Sequence, residues 1–106
     1  MPRLLGDAEI RLRLEGLDGW TRRGGYISKA YDFQTFMQGI EFLNSVARVA
    51  EGVDHHPDIS VRYTRVRFSI RTHSSKGITA RDFELAKAID GIPMKQEGRS
   101  GPLEDL

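Results

Sequence analysis

The sequence has no cysteine and no long apolar run among its 106 residues. The first absence excludes a disulfide framework, a thiolate nucleophile and any zinc site with cysteine ligands. The second argues against a membrane-spanning helix, which needs roughly 20 mostly apolar residues. Residues 1–14 mix charges with leucines and so lack the apolar segment of a signal peptide. We therefore expect a cytoplasmic protein without a membrane partner.

An excess of positive charge is also missing. The 16 basic and 15 acidic residues give a formal net charge of +1, whereas dedicated nucleic-acid binders are usually far more basic. The phosphate-binding patterns G-x-x-x-x-G-K-[ST] and G-x-G-x-x-G do not occur, and neither does the nucleophile pattern G-x-S-x-G. The sequence therefore gives no support for a nucleic-acid partner, nucleotide-driven chemistry or serine hydrolysis.

Helical and strand-like periods do follow one another regularly along the chain. The predicted segments are a helix at 4–17 with Asp7 as N-cap, strands at 20–23 and 26–33 joined through Gly24-Gly25, a helix at 35–51 ended by Gly52, strands at 58–63 and 65–73, and a helix from Thr79 to Asp90. This α-β-β-α-β-β-α order predicts an α+β fold. We expect a single domain, residues 1–94, with helices covering one face of a four-stranded antiparallel sheet. Residues 95–106 are predicted to be a mobile tail.

The predicted long helix is apolar over more of its circumference than one sheet face requires. Its main stripe comprises Phe36, Ile40, Leu43, Ala47 and Ala50. The stripe is widened by Phe42, Val46 and Val49. This width fits a fully covered core helix and a helix with a subunit interface equally well.

The chain has three histidines, of which His55 and His56 are adjacent and precede Pro57. The third, His73, ends a predicted strand. Imidazole titrates near neutral pH, so it can both donate and accept protons there. The residue types leave two interpretations open, a proton-transfer site and ordinary strand-end residues. Pro57 favours extended backbone at His56, although a proline here can also simply separate helix from strand.

Two carboxylates accompany these histidines. Glu51 precedes His55 at the end of the long helix, where it could orient an imidazole or simply be solvated. Asp82 completes the capping-box pattern Thr79-x-x-Asp82, so it could serve stability alone. The histidines and carboxylates show no recognised metal-ligand spacing, and we expect no metal site.

One face of the last predicted strand is basic. Arg65, Arg67 and Arg71 alternate with apolar residues, a pattern typical of an antiparallel strand with one solvated face. RNA-binding sheets also display aromatic side chains for base stacking, and this strand face has none. We expect a solvated face or a sheet edge that pairs with another subunit.

The segment Glu51-Gly-Val-Asp-His55-His56-Pro57-Asp58 resembles the signature of the pterin-4a-carbinolamine dehydratase family. The similarity continues through Tyr63, Thr72-His73, Gly77-Ile78-Thr79 and Asp82, and it covers about residues 4–91. Each piece is short, but the ordered set at matching spacing is specific. Lys76 and Ile78 stand where the family often has glycine and leucine, and neither change touches a proposed catalytic group.

The resemblance implies an enzyme that dehydrates a 4a-hydroxytetrahydropterin, the carbinolamine formed by an aromatic amino acid hydroxylase. The product is a quinonoid dihydropterin, which places the reaction in tetrahydrobiopterin recycling. An acid must protonate the departing oxygen and a base must take a proton from nitrogen. Imidazoles can do both, so no cofactor is expected. The alternative is a non-catalytic protein-binding member of the same fold, an assembly factor or a transcriptional cofactor.

The resemblance also implies the site and the partners. The catalytic residues would be His55, His56 and His73, supported by the carboxylates of Glu51 and Asp82. The pterin would contact His55, His56, Pro57, Thr72, His73, Ser74 and Ser75. We assign the proton transfers to His55 and His73, and mainly binding to His56. The family further implies a homodimer or homotetramer, and a functional link to an aromatic amino acid hydroxylase.

Overall fold

The computed structural model describes residues 2–94 and has the predicted order of elements. They are α1 (Asp7–Leu14), β1 (Thr21–Arg23), β2 (Tyr26–Asp32), α2 (Phe36–Val53), β3 (Asp58–Arg62), β4 (Arg65–Ile70), a single 3-10 turn (His73–Ser75) and α3 (Ala80–Asp90). The strands form one antiparallel sheet, so the predicted α+β fold is confirmed. The predicted tail, residues 95–106, lies outside the described residues.

The sheet has the strand order β1-β2-β4-β3, which places the two hairpins side by side. Ile27 lies opposite Ile70 and Tyr31 opposite Val66. Because side chains alternate along a strand, these four share one face with Phe68, and all five are buried. The opposite face carries serines and arginines. The two faces therefore differ as the alternating pattern predicts.

The helices α2 and α3 pack on the apolar face of this sheet. Phe42 and Val46 of α2 and Phe83 and Ile89 of α3 are buried in one core cluster with the sheet residues. The rings of Phe42 and Tyr31 lie 4.8 Å apart between centroids, a spacing at which aromatic pairs attract each other. This core fixes the ends of α2 and α3 relative to the sheet.

Capping boxes begin both of these helices. The Thr35 side chain accepts a hydrogen bond from Gln38 N, and the Gln38 side chain accepts one from Thr35 N. At α3 the predicted box is confirmed, because Asp82 Oδ2 accepts from Thr79 N at 2.8 Å. Such caps satisfy backbone N–H groups that the first helical turn leaves unpaired.

The first helix is shorter than predicted, and its cap is different. α1 begins after Gly6, which offers no side-chain cap, so Asp7 is the first helical residue and the predicted N-cap is wrong. The Asp7 carboxylate instead accepts a hydrogen bond from Arg22 Nη1 at 2.8 Å. This bond and the charge of Arg22 hold the pKa of Asp7 below its usual value. Leu4 lies outside the helix, in an isolated bridge to Thr79.

Two other predicted boundaries are displaced. α2 continues through Gly52 to Val53, and Asp54, whose φ of 54° is left-handed, caps it, so the predicted glycine cap is wrong. β4 ends at Ile70 because the following chain turns back, with Thr72 bridged to Gly77. Both changes affect the segments that carry the histidines.

The apolar stripe of α2 is only partly buried. The buried residues of the helix are Gly39, Phe42, Val46 and Ala50, whereas Phe36 of the stripe is 45% exposed. The side of α2 that faces the core is therefore centred on Phe42 and Val46, which only widen the predicted stripe, and not on Phe36. Although α2 is apolar over much of its circumference, none of the helices within residues 2–94 is long and apolar enough to cross a membrane.

Lys29 interrupts the alternation of β2 because its ammonium has a partner at the end of α3. Its Nζ donates to Asp90 Oδ1 at 2.9 Å, and Trp20 Nε1 donates to Asp90 Oδ2 at 3.0 Å. The Tyr31 hydroxyl donates to the same carboxylate. Burial, and then the hydrogen bond to Asp90, raise the pKa of Tyr31. Three donors from the first hairpin region thus anchor the C-terminus of α3.

Candidate active site

The end of α2, the start of β3, the 3-10 turn and the start of α3 meet around one surface cavity of about 320 Å³. This volume lies within the range of about 300–1,000 Å³ that is typical of small-molecule pockets. The lining residues are Asp54, His55, His56, Pro57, Asp58, Thr72, His73, Ser74 and Arg81. All three histidines of the chain therefore line the same cavity.

His55 is the buried histidine of this cavity, with 7% of its surface exposed. Its Nε2 lies 2.6 Å from Oδ1 of the fully buried Asp82. An ionised carboxylate can only accept hydrogen bonds, so we assign the proton to Nε2 as the donor. In a neutral ring Nδ1 is then the nitrogen that can accept a proton.

Asp82 is held from several sides. Its Oδ2 accepts hydrogen bonds from the Thr79 backbone N–H at 2.8 Å and from the Thr72 hydroxyl at 3.0 Å. The hydroxyl oxygens of Thr72 and Thr79 are themselves 2.7 Å apart. The carboxylate that caps α3 therefore also orients the ring of His55 and ties it to the end of the last strand.

His56 has a partner of its own on the solvent side. Its Nε2 lies 2.6 Å from Glu51 Oε2, and the two side chains are 53% and 77% exposed. Because successive side chains of extended backbone point to opposite sides, the adjacent histidines have different surroundings. Water and salt screen the exposed pair, so it holds its ring less firmly than Asp82 holds His55.

His73 begins the 3-10 turn and is exposed at the cavity. Unlike the rings of His55 and His56, its ring makes no hydrogen bond to another side chain within residues 2–94. Ser74 also lines the cavity, whereas the hydroxyl of Ser75 points away and donates to Pro2 O at 2.6 Å. The structure thus brings His73 and Ser74 to the cavity, and it places Ser75 against the N-terminal segment.

Three lining residues were not singled out from the sequence: Asp54, Asp58 and Arg81. Arg81 Nη2 donates to the backbone oxygens of Val53 at 3.4 Å and Asp54 at 3.1 Å. It therefore binds the C-terminal end of α2, where the helix dipole favours a cation. An arginine in the first turn of α3 is unfavourable for the dipole of that helix. This unfavourable position is the sequence feature that indicates a partner outside α3.

The arrangement offers imidazoles in three different states of hydrogen bonding around one cavity. The ring of His55 is buried and fixed, that of His56 is exposed and paired, and that of His73 is without a side-chain partner in the described part of the chain. Positioned imidazoles suit general acid and base catalysis near neutral pH. Among residues 2–94, no group of three or more histidines and carboxylates is arranged to hold a metal ion.

Comparison with known proteins identifies relatives along most of the chain. The model of the pterin 4 alpha carbinolamine dehydratase family matches residues 3–92. A relative from Roseiflexus castenholzii is 47% identical over 92 residues, which cover 87% of this chain and 99% of the relative. One from Sulfolobus acidocaldarius is 40% identical over 88 residues, covering 83% and 97%. Both are named, provisionally, pterin-4-alpha-carbinolamine dehydratases.

Solved structures agree with this result. A transcriptional coactivator/pterin dehydratase from Brucella melitensis superposes with a TM-score of 0.79 at 31% identity, covering 83% of this chain and 96% of that one. A pterin dehydratase-like protein, identified as a RuBisCO assembly factor in the alpha-carboxysome, superposes with a TM-score of 0.56 at 19% identity. It covers 67% of this chain and 82% of its own, and it shows a shared fold alone. From the family match and these relatives, the chain belongs to the pterin-4-alpha-carbinolamine dehydratase family.

Proposed function

We propose that this protein dehydrates a 4a-hydroxytetrahydropterin to a quinonoid dihydropterin and water, as a step of tetrahydrobiopterin recycling. The bond between C4a and its hydroxyl oxygen breaks, and the lone pair of a ring nitrogen forms the new C=N bond. A base takes the proton from that nitrogen, and an acid protonates the departing oxygen. Substrate and products balance as one molecule of water lost, so the reaction calls for no oxidant, reductant or cofactor.

The observation that carries this proposal is the His55–Asp82 pair at a cavity lined by all three histidines. A general base needs a fixed orientation and a nitrogen that is not already bonded. Asp82 occupies Nε2 of His55 and leaves Nδ1 for a proton transfer. We assign the second proton transfer to His73, which lines the cavity and, unlike the other two histidines, has no side-chain partner within residues 2–94.

His56 is proposed mainly to bind the pterin. Its pairing with Glu51 is exposed, and an exposed pair can rearrange when a ligand arrives. Pro57, Thr72 and Ser74 line the same cavity and would supply walls and hydrogen bonds to the ring. An aromatic amino acid hydroxylase produces the substrate, so we propose a functional link to such an enzyme in the cytoplasm.

We also propose that the protein works as a homodimer or homotetramer. The edge strand β3 is exposed along its whole length, and Ile59 and Val61 are 40% and 37% exposed. An exposed edge with apolar side chains is a template for pairing with another strand. A second copy would cover it, and sedimentation velocity of the wild type against Val61→Lys tests this assembly. A monomeric wild type would contradict it.

Stopped-flow kinetics test the reaction. The 4a-hydroxytetrahydropterin is generated enzymatically, and its dehydration is followed with the wild type, His55→Ala and His73→Ala. Each variant should lose about two or more orders of magnitude in rate, with an unchanged circular dichroism spectrum. Lys87→Ala, on the exposed surface of α3 and outside the cavity, is the matched control and should keep full activity. A folded wild type that does not accelerate dehydration would overturn the proposal.

A further inference from the structure

The sheet face turned away from the helices carries arginines for which the proposed function has no use. Arg23, Arg62 and Arg67 lie on β1, β3 and β4, and Arg71 follows β4 on the same side. We call these four residues the arginine face. Beside them is an open cavity of about 440 Å³. It is lined by Arg23, Tyr26, Asp58, Ser60, Arg62, Arg67 and Ser69.

The positive charge of the arginine face is not neutralised by the rest of the described chain. Within residues 2–94 none of its four guanidinium groups forms an ion pair. Among the described residues Arg67 donates only to the neutral Ser28 hydroxyl, at 3.0 Å, and Asp58 is the one carboxylate that lines the cavity. The neighbouring Arg65 differs, because it bonds both carboxylate oxygens of Asp32 at 2.8 and 3.2 Å.

Two details indicate that this face lacks an anionic partner. Arg62 lies directly opposite Arg65 in the register of β3 and β4, and the neighbouring carboxylate of Asp32 is already bonded by Arg65. Arg71 Nε is buried and has no hydrogen-bond partner in the described residues, whereas buried donors are normally satisfied. The Arg71 guanidinium lies 5.5 Å from the ring centroid of Tyr26, which keeps it at the rim of the cavity.

We propose that the arginine face binds a small ligand that carries two or more phosphate groups. The planar guanidinium fork matches phosphate oxygens and donates to them in pairs. The hydroxyls of Ser60 and Ser69 add neutral donors in the same cavity. Several guanidinium groups facing a single carboxylate call for a ligand with more than one negative charge. Single-stranded RNA normally uses several aromatic side chains, and Tyr26 is the one aromatic of residues 2–94 that lines this cavity.

Calorimetric titration of the 106-residue chain with tripolyphosphate tests the proposal. At about 0.05 M salt we expect saturable binding that weakens strongly at about 0.5 M salt, because salt screens exposed charges. Arg62→Gln and Arg23→Gln should each weaken binding about three- to ten-fold. Both side chains are exposed, so the variants should fold. Arg48→Gln, an exposed arginine of α2, is the matched control and should bind like the wild type.

Three results would overturn the proposal. The first is the absence of saturable tripolyphosphate binding, and the second is an equal loss of affinity in Arg48→Gln. The third is binding of a single-stranded RNA about 100-fold tighter than tripolyphosphate, which would make a nucleic acid the occupant. Dehydration kinetics of Arg62→Gln should equal those of the wild type, so the outcome at the arginine face is independent of the proposed reaction.

Discussion

Replacing Asp82 by asparagine should invert the role of the His55 ring while preserving its surroundings. The backbone N–H of Thr79 can only donate, so the asparagine oxygen must take the place of Oδ2. The amide NH₂ then faces His55 Nε2, where Oδ1 lies 2.6 Å away in the wild type. Nε2 must become the acceptor, and Nδ1 must carry the proton. The ring would present an N–H to the cavity in place of a lone pair.

The expected size of the effect follows from this inversion. A general base with the wrong tautomer loses its proton-transfer contribution, so we expect the rate to fall about 10²- to 10⁴-fold. A charge-assisted hydrogen bond is also replaced by a neutral one in a fully buried position. That change should lower the free energy of unfolding by about 1–2 kcal/mol, or Tm by about 5–15 °C.

Glu51→Gln supplies the matched control, since it makes the same chemical change beside the exposed His56. We expect less than about a ten-fold loss of rate there, because water screens the pair and can replace it. Stopped-flow dehydration measures the rates, and ¹⁵N NMR of labelled histidine reports the tautomer of His55. An Asp82→Asn variant with wild-type kinetics, or with the proton still on Nε2, would refute the reasoning.

Further predictions concern the packing of α2 and the Tyr31–Asp90 contact. Gly39→Ala should destabilise the fold by about 1 kcal/mol in a urea melt, because its Cβ would lie 3.2 Å from the buried Val66 side chain. Gly52→Ala should stabilise the fold by about 0.5–1 kcal/mol, since nothing lies within 4 Å of the added Cβ. A gain in stability in both variants would contradict the close packing at Gly39. The pKa of Tyr31 is raised in the folded state. The contribution of the Tyr31 hydroxyl to the free energy of unfolding is therefore fully present below the unfolded-state pKa of about 10 and is lost as the pH rises. Wild type should therefore lose stability more steeply above about pH 10 than Tyr31→Phe, and parallel pH curves would argue against the contact with Asp90.

The fold could be predicted from the sequence because its periodicities are local. The alternation of β4 and the Thr79–Asp82 capping box are each set by residues a few positions apart. Helix ends were harder to predict, since Asp54 ends α2 in a left-handed conformation that glycine adopts more readily. The side of α2 that faces the core also differs from the predicted stripe, because the close approach of Gly39 to Val66 and Phe33 sets the rotation of the helix.

The sequence names the three histidines of the candidate cavity, but not their hydrogen-bond partners or the lining residues Asp54, Asp58 and Arg81. The sequence singled out three histidines and two carboxylates, and it could not say which acid contacts which ring. Only the packing of α3 against the sheet brings Asp82 to His55 across 27 positions of the chain. The same packing brings Arg81 to the end of α2, a contact with no local sequence pattern beyond an arginine in an unfavourable helical turn.

The most direct measurement is the dehydration of 4a-hydroxytetrahydropterin with the wild-type protein in catalytic amounts. The substrate is produced by a hydroxylase in excess, and formation of the quinonoid dihydropterin is followed by absorbance at several protein concentrations. We predict a rate proportional to protein concentration over many turnovers, without added metal or cofactor. A folded protein that leaves the spontaneous rate unchanged at every concentration would contradict the assignment of the histidine cavity as a dehydratase site.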